Sequence, residues 1–133
     1  MTRGMYRPNN KSIWIAERFQ RNDELIAEIQ TTDRVLKHEI ARVLDSLDKN
    51  GVRLSDAQPI CKSYAQDVES LTGIQKQVLN HYAQGNALGR REVFAEAYAI
   101  SHSTASPADA LWRQYFAKAF PNTMRLVKDA ELP

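Results

Sequence analysis

The side chains of this chain that could do chemistry occur in a few recognisable spacings, and each spacing names the reaction it would serve. His38-Glu39-Ile40-Ala41-Arg42 opens like the zinc-ligand pattern His-Glu-x-x-His, in which two imidazoles one helical turn apart hold a metal and the glutamate acts as base. Arg42 stands where the second imidazole belongs, so a ligand is missing and metal catalysis is not expected. His81 and His102 lie far from His38 along the chain, and a single histidine on a helix is ordinarily a surface group or a satisfied core group. Glu92 and Glu96 are one turn apart, as a carboxylate pair for acid–base work would be. With no cleft indicated, they read as a solvated helix face. The stretch from Gly85 to Arg91 lacks the spacing and the Lys-Ser/Thr of a phosphate-cradling loop, and its glycines suit a helix–helix connection. Cys61, the single cysteine, has only Lys62 beside it as an activating cation and reads as a structural thiol. No enzyme activity, metal or cofactor is expected from these residues.

A chain of 133 residues with 43% hydrophobic and 26% charged residues has the size and composition of one folded domain with a core of its own. One cysteine excludes an intramolecular disulfide framework and fits a reducing compartment, so a cytoplasmic protein is expected. The first residues lack the apolar run of a secretory signal. No later stretch approaches the roughly 20 apolar residues that a membrane helix needs. The net charge of +2 is unevenly distributed: residues 1–22 carry a balance of +4, residues 23–73 carry −4, and residues 74–128 return to +4. The two basic blocks give some weight to a polyanionic partner.

These groups must be positioned by helices. Sustained alternation of apolar and polar residues is missing, and helix-forming Ala, Leu, Gln, Glu, Lys and Arg dominate, which predicts an all-α, multi-helix bundle. Residues 1–22 read as a basic arm with a short helix bearing Ile13, Trp14, Ile15 and Phe19, capped by Asn10 or Ser12. Residues 23–50 read as one long amphipathic helix closed by Gly51, and they equally well continue the helix before them. Along it Ile26, Asp33, Ile40 and Leu47 recur every seven residues, with Ile29, Leu36 and Val43 as a companion row. This stripe is either the inner face of a bundle helix or a homodimer seam made by Ile26, Ile29, Leu36, Ile40, Val43 and Leu47. Residues 51–133 form the remaining helical domain. Ser55-Asp-Ala-Gln58 with Pro59 predicts a capping box before a helix carrying Ile60, Tyr64, Val68 and Leu71. A second helix with Ile74, Val78, Leu79 and Tyr82 runs toward Gly85. Ser106-Pro107-Ala108-Asp109 starts the last major helix, whose apolar residues are Leu111, Trp112, Tyr115, Phe116 and Phe120, and Pro121 ends it.

Between them, Glu92 to Ser106 reads as two short helices meeting at a tight turn: Ala95 is small enough for a helix crossing, Phe94 and Tyr98 flank it, Ile100 plugs the turn, and Ser103 or Thr104 caps the second helix. This segment resembles the helix-turn-helix DNA-binding proteins, with Ala99 at the turn position where that family usually has glycine. Leu71-Thr72, Val78-Leu79, Ala83 and Gly85 extend the resemblance, toward the LuxR-type version, over residues 71–116. The resemblance implies that His102, Ser103, Thr104 and Ser106 lie near base edges or phosphates. It also implies that Arg90 and Arg91 contact phosphate, that Arg113 and Lys118 grip the flanking backbone, and that Arg3 and Arg7 of the arm reach a minor groove. Pro107 supports a different local structure, in which the second helix begins only at Ser106 and residues 101–105 are an extended connection. Two functions follow. One is a DNA-binding regulator or accessory protein, dimeric through residues 23–50. The other is a small helical adaptor or inhibitor of phage or plasmid type, docking on a host protein through Trp14, Ile15 and Phe19 or through Trp112, Tyr115 and Phe116, unless those stripes are simply core.

Overall fold

A computed structural model describes the backbone of residues 26–46 and 51–130 and the side chains from Asp33 onward within those ranges. Regular structure among the described residues is entirely helical, as the composition predicts. The elements are α1 (Ile26–Ser46), α2 (Gln58–Ser70), α3 (Gly73–Val78), α4 (Ala87–His102), α5 (Ala110–Ala119) and α6 (Pro121–Asp129), with 3-10 turns at Leu54–Asp56 and Pro107–Asp109. The basic arm, with Arg3, Arg7, Trp14, Ile15 and Phe19, lies outside the described residues, as do Leu47 and the side chains of Ile26 and Ile29.

α4 is the central helix. Every residue from Val93 to Ala99 is buried, so the helix is covered on all sides, chiefly by α1 and α6. Small residues make this possible: Ala95, Ala97 and Ala99 are wholly inaccessible and let neighbouring helices approach closely. At its start Asn86 accepts a hydrogen bond from the Gly89 amide at 2.9 Å and caps the helix. Gly89 is held against Tyr64 so closely that a β-carbon would collide with the phenol oxygen and lie 3.0 Å from the Tyr82 carbonyl. That phenol donates to the Tyr82 carbonyl at 2.6 Å and accepts from the Gly85 amide at 3.1 Å. Gly85 has φ +73°, the left-handed conformation glycine adopts without strain. Around these contacts Tyr82, Phe116, Phe120 and Trp112 form an aromatic cluster, with Phe116 and Phe120 ring centroids 5.0 Å apart. Trp112 and Tyr115 therefore pack on the core beside the fully buried Phe116.

Several helix starts differ from expectation. Ser55 does not cap α2: its amide and hydroxyl both donate to Asp45 of α1, at 2.7 Å each, and Ala57 precedes the helix instead. The capping box occurs at Thr72 and Gln75, which start α3. That helix ends at Val78 and does not run on to Gly85. Pro121 ends α5 and also begins α6. The first amides of α6, at Asn122 and Thr123, donate to Asp67 of α2 at 3.1 and 2.9 Å.

Candidate functional site

The inward face of α1 joins apolar Ile40, Ala41 and Leu44, which pack on the core, to a row of charged side chains. Arg34, His38, Ala41 and Asp45 follow one another at helical spacing, and the charged members meet carboxylates or donors across the interface. Glu96 of α4, 1% exposed, accepts from Arg34 Nη1 at 2.5 Å, from His38 Nδ1 at 2.8 Å and from Trp112 Nε1 at 2.5 Å. One turn earlier Glu92 accepts from His81 Nε2 at 2.8 Å and has His38 Nε2 and Arg42 Nε each at 3.5 Å. Glu92 and Glu96 are thus not a solvated face, because three cations on the facing helix and two further donors enclose them. Buried Asp109 extends the network: Arg34 Nε lies at 3.2 Å, Arg113 Nε at 3.1 Å, and the Ser106 amide and hydroxyl donate to it.

The electrostatics follow from this enclosure. Burial alone would lower the His38 pKa, but the hydrogen bonds to Glu92 and Glu96 outweigh it and raise the value to about 9, so the ring is an imidazolium at neutral pH. Burial would raise Glu92, yet His38, His81 and Arg42 hold it at about 2. Glu96 is lowered by the same contest, with His38, Arg34 and Trp112 opposing burial. Glu39 goes the other way. It is 1% exposed, neither carboxylate oxygen has a hydrogen-bond partner, and burial raises its pKa to about 7 although Arg42 Nη1 is 3.5 Å away. Among the described residues no group of three or more His, Cys, Asp or Glu is arranged to hold a metal ion.

The residues expected to face DNA have definite positions. α4 does not turn at Ala99. It continues to His102, because Ala99 is buried in the middle of the core, and the chain leaves the helix in extended conformation at Ser103. A 3-10 turn opened by Pro107 precedes α5, so the local geometry is the two-helix arrangement with a longer connection. His102 stacks on Tyr98 with centroids 4.0 Å apart, and its Nδ1 is 3.0 Å from the Tyr98 carbonyl. Arg113 donates to the Ser103 hydroxyl at 2.6 Å and to the Ile100 and Thr104 carbonyls at 2.9 and 3.1 Å. The Thr104 amide donates to Asp33 of α1 at 2.7 Å, and Ser106 and Asp109 cap each other. Arg90 ties α4 to the 54–56 turn through the Ser55 carbonyl and Asp56. Arg91 is half-buried, with a buried Nε that makes no hydrogen bond, and Lys118 is exposed. Of the expected dimer residues, Ile40 packs on the core, and Leu36 and Val43 stay partly exposed beside the polar face.

Arg34, Asp109 and the Trp112 indole are the site residues that hydrophobic periodicity does not find. A signal for them exists in charge: Arg34, His38 and Arg42 recur every four residues on α1, as do Glu92 and Glu96 on α4. The network in turn fixes a surface. Thr104, Ala105, Pro107, Ala108, Ala110 and Leu111 are all exposed, Leu111 by 81%, on a connection pinned from beneath by Asp33, Arg34, Asp109 and Arg113. No family model, curated protein or solved structure matches the chain.

Proposed function

We propose that this protein is a small helical adaptor or inhibitor that docks on another polypeptide through the 103–111 connection. The observation that carries this is the pairing of a small-residue, apolar surface with a rigid polar foundation. Ala105, Pro107, Ala108, Ala110 and Leu111 face solvent, and four charged side chains below them fix the backbone that presents them. A surface ordered before binding loses less conformational entropy when a partner arrives. Leu111 is the natural anchor: burying an exposed leucine is worth about 1.5–3 kcal/mol. The cations Arg90 and Arg113 are engaged in holding the fold, which weakens a phosphate-binding role for them.

DNA binding by a dimeric regulator is the second reading. The exposure of Lys118, Arg125 and Lys128 on the last two helices favours it, since exposed cations are what a phosphate backbone recruits. A single experiment separates the two. The wild-type protein and Leu111→Asp are used as bait in a bacterial lysate treated with nuclease. Polypeptides retained by the wild type and lost with Leu111→Asp are the expected result. Retention that disappears on nuclease treatment, together with a salt-dependent gel shift weakened by Lys118→Glu, would transfer the case to nucleic acid. Identical capture by both proteins would overturn docking through Leu111.

A further inference from the structure

Glu39 is the one buried carboxyl among the described residues whose two oxygens both lack a hydrogen-bond partner, and it sits on the helix that braces the docking surface. The charged groups acting on it are Arg42 and His38 of α1 itself and Glu92 of α4. The other elements packed on α1 present Asp56, held by Arg90, and Asp109, held by Arg34 and Arg113. Arg42 is therefore the near cation, and it is shared: its Nη1 is 3.5 Å from Glu39 Oε1 and its Nε is 3.5 Å from Glu92 Oε2. A protonated Glu39 no longer competes with Glu92 for Arg42. An ionised one is a second anion in a low-dielectric site, and it competes for the same guanidinium.

We propose that Glu39 makes the seating of α1 on α4 proton-dependent, its ionisation drawing Arg42 away from Glu92 and loosening the hold of α1 on the 103–111 connection. That hold consists of two contacts from consecutive α1 residues: Asp33 accepts the Thr104 amide, and Arg34 pairs with Asp109 at the base of the Pro107–Asp109 turn. Both lie within two turns of Glu39 on one rigid helix, so a shift of α1 reaches them directly. The pKa of Glu39, raised to about 7 by burial, places the transition near neutrality. The conformational device stands on the isolated protein. Its regulatory consequence, a docking surface better ordered at mildly acidic pH, rests on the adaptor reading.

The test is an NMR titration from pH 5.5 to 8.5 of three signals in the free protein: the Glu39 side-chain carboxyl, the Thr104 amide and the Trp112 indole N–H. The expected result is a shared midpoint near pH 7 in the wild type, with the Thr104 and Trp112 shifts abolished in Glu39→Gln, which mimics the protonated form. Three outcomes would overturn the proposal: a Glu39 carboxyl titrating near 4.5, Thr104 and Trp112 signals that ignore its titration, or the same movement in Glu39→Gln. The wild-type carboxyl signal decides the matter even if the variant does not fold. Partner capture by Leu111→Asp is a separate measurement, so failure of the docking function and failure of the proton device are distinguishable.

Discussion

Glu96 shows how a single side chain decides a buried interface. Three donors converge on it, two of them cationic, at a position with almost no solvent access. By comparison the half-exposed pair Lys37–Asp33, 3.3 Å apart on α1, is worth at most about 1 kcal/mol. Replacing Glu96 with Ala leaves Arg34 only Asp109 and His38 only Glu92 as anionic neighbours in a largely enclosed site, and removing one partner from such a network costs up to about 3–5 kcal/mol. Glu96→Ala is therefore expected to lower the urea midpoint sharply, whereas Lys37→Ala should leave it nearly unchanged. The Trp112 indole bond to Glu96 gives a local readout, because its loss exposes the indole N–H and shifts the tryptophan emission. Equal effects from the two substitutions would mean that the network contributes no more than a surface ion pair.

At the scale of elements, the helices that the sequence reveals are those with local signals, and the parts it hides depend on distant partners. Proline in a first turn and the apolar spacing of Tyr64, Phe116 and Phe120 are local, and α2 and α5 follow from them. The seven-residue stripe of α1 is local too, but among the described side chains it does not coincide with the face turned inward. Ile40 touches the core, while Arg34, His38 and Asp45, next to the stripe, are turned toward α4 and the 54–56 turn by carboxylates and donors that no periodicity of α1 announces. The tight turn expected at Ala99 fails for a related reason: small residues suit a sharp helix crossing and also the middle of a central helix, and burial between α1 and α6 selects the second. α6 goes unforeseen because its cap comes from elsewhere in the chain. Asp67 of α2, 1% exposed, accepts from the amides of Asn122 and Thr123 and from both their side chains. Asp67→Ala removes the acceptor for four donors, two of them at a helix N-terminus, and is expected to cost about 2–3 kcal/mol. Amide exchange should then rise first in residues 121–129; uniform acceleration through α4 would place the cap inside the main cooperative unit instead.

The whole molecule's stability is tied to pH through three buried groups that pull in different directions. His38 has its pKa raised from 6.5 to about 9, so its contribution is complete below pH 6.5 and is lost as pH rises through 9. Glu92 is lowered from 4.5 to about 2; its contribution is complete above pH 4.5 and is lost as pH falls through 2. Glu39 is raised from 4.5 to about 7, which favours the folded state most below pH 4.5 and removes that advantage between 4.5 and 7. From about pH 4.5 to 6.5 His38 and Glu92 both contribute fully, and Glu39 has lost the least at the acid end of that interval, so stability should peak near pH 5. A tenfold difference in proton affinity between the folded and unfolded chain corresponds to about 1.4 kcal/mol, and the fall from pH 5 to pH 9 should amount to several kcal/mol. The two causes separate by position: Glu39→Gln removes the part of the decline below pH 7 and leaves the part between 6.5 and 9, which belongs to His38. Urea unfolding measured at half-unit intervals from pH 4 to 9.5 gives the curve directly. A maximum at pH 8 or above, or a profile unchanged by Glu39→Gln, would show that the α1–α4 network does not govern the proton linkage of folding.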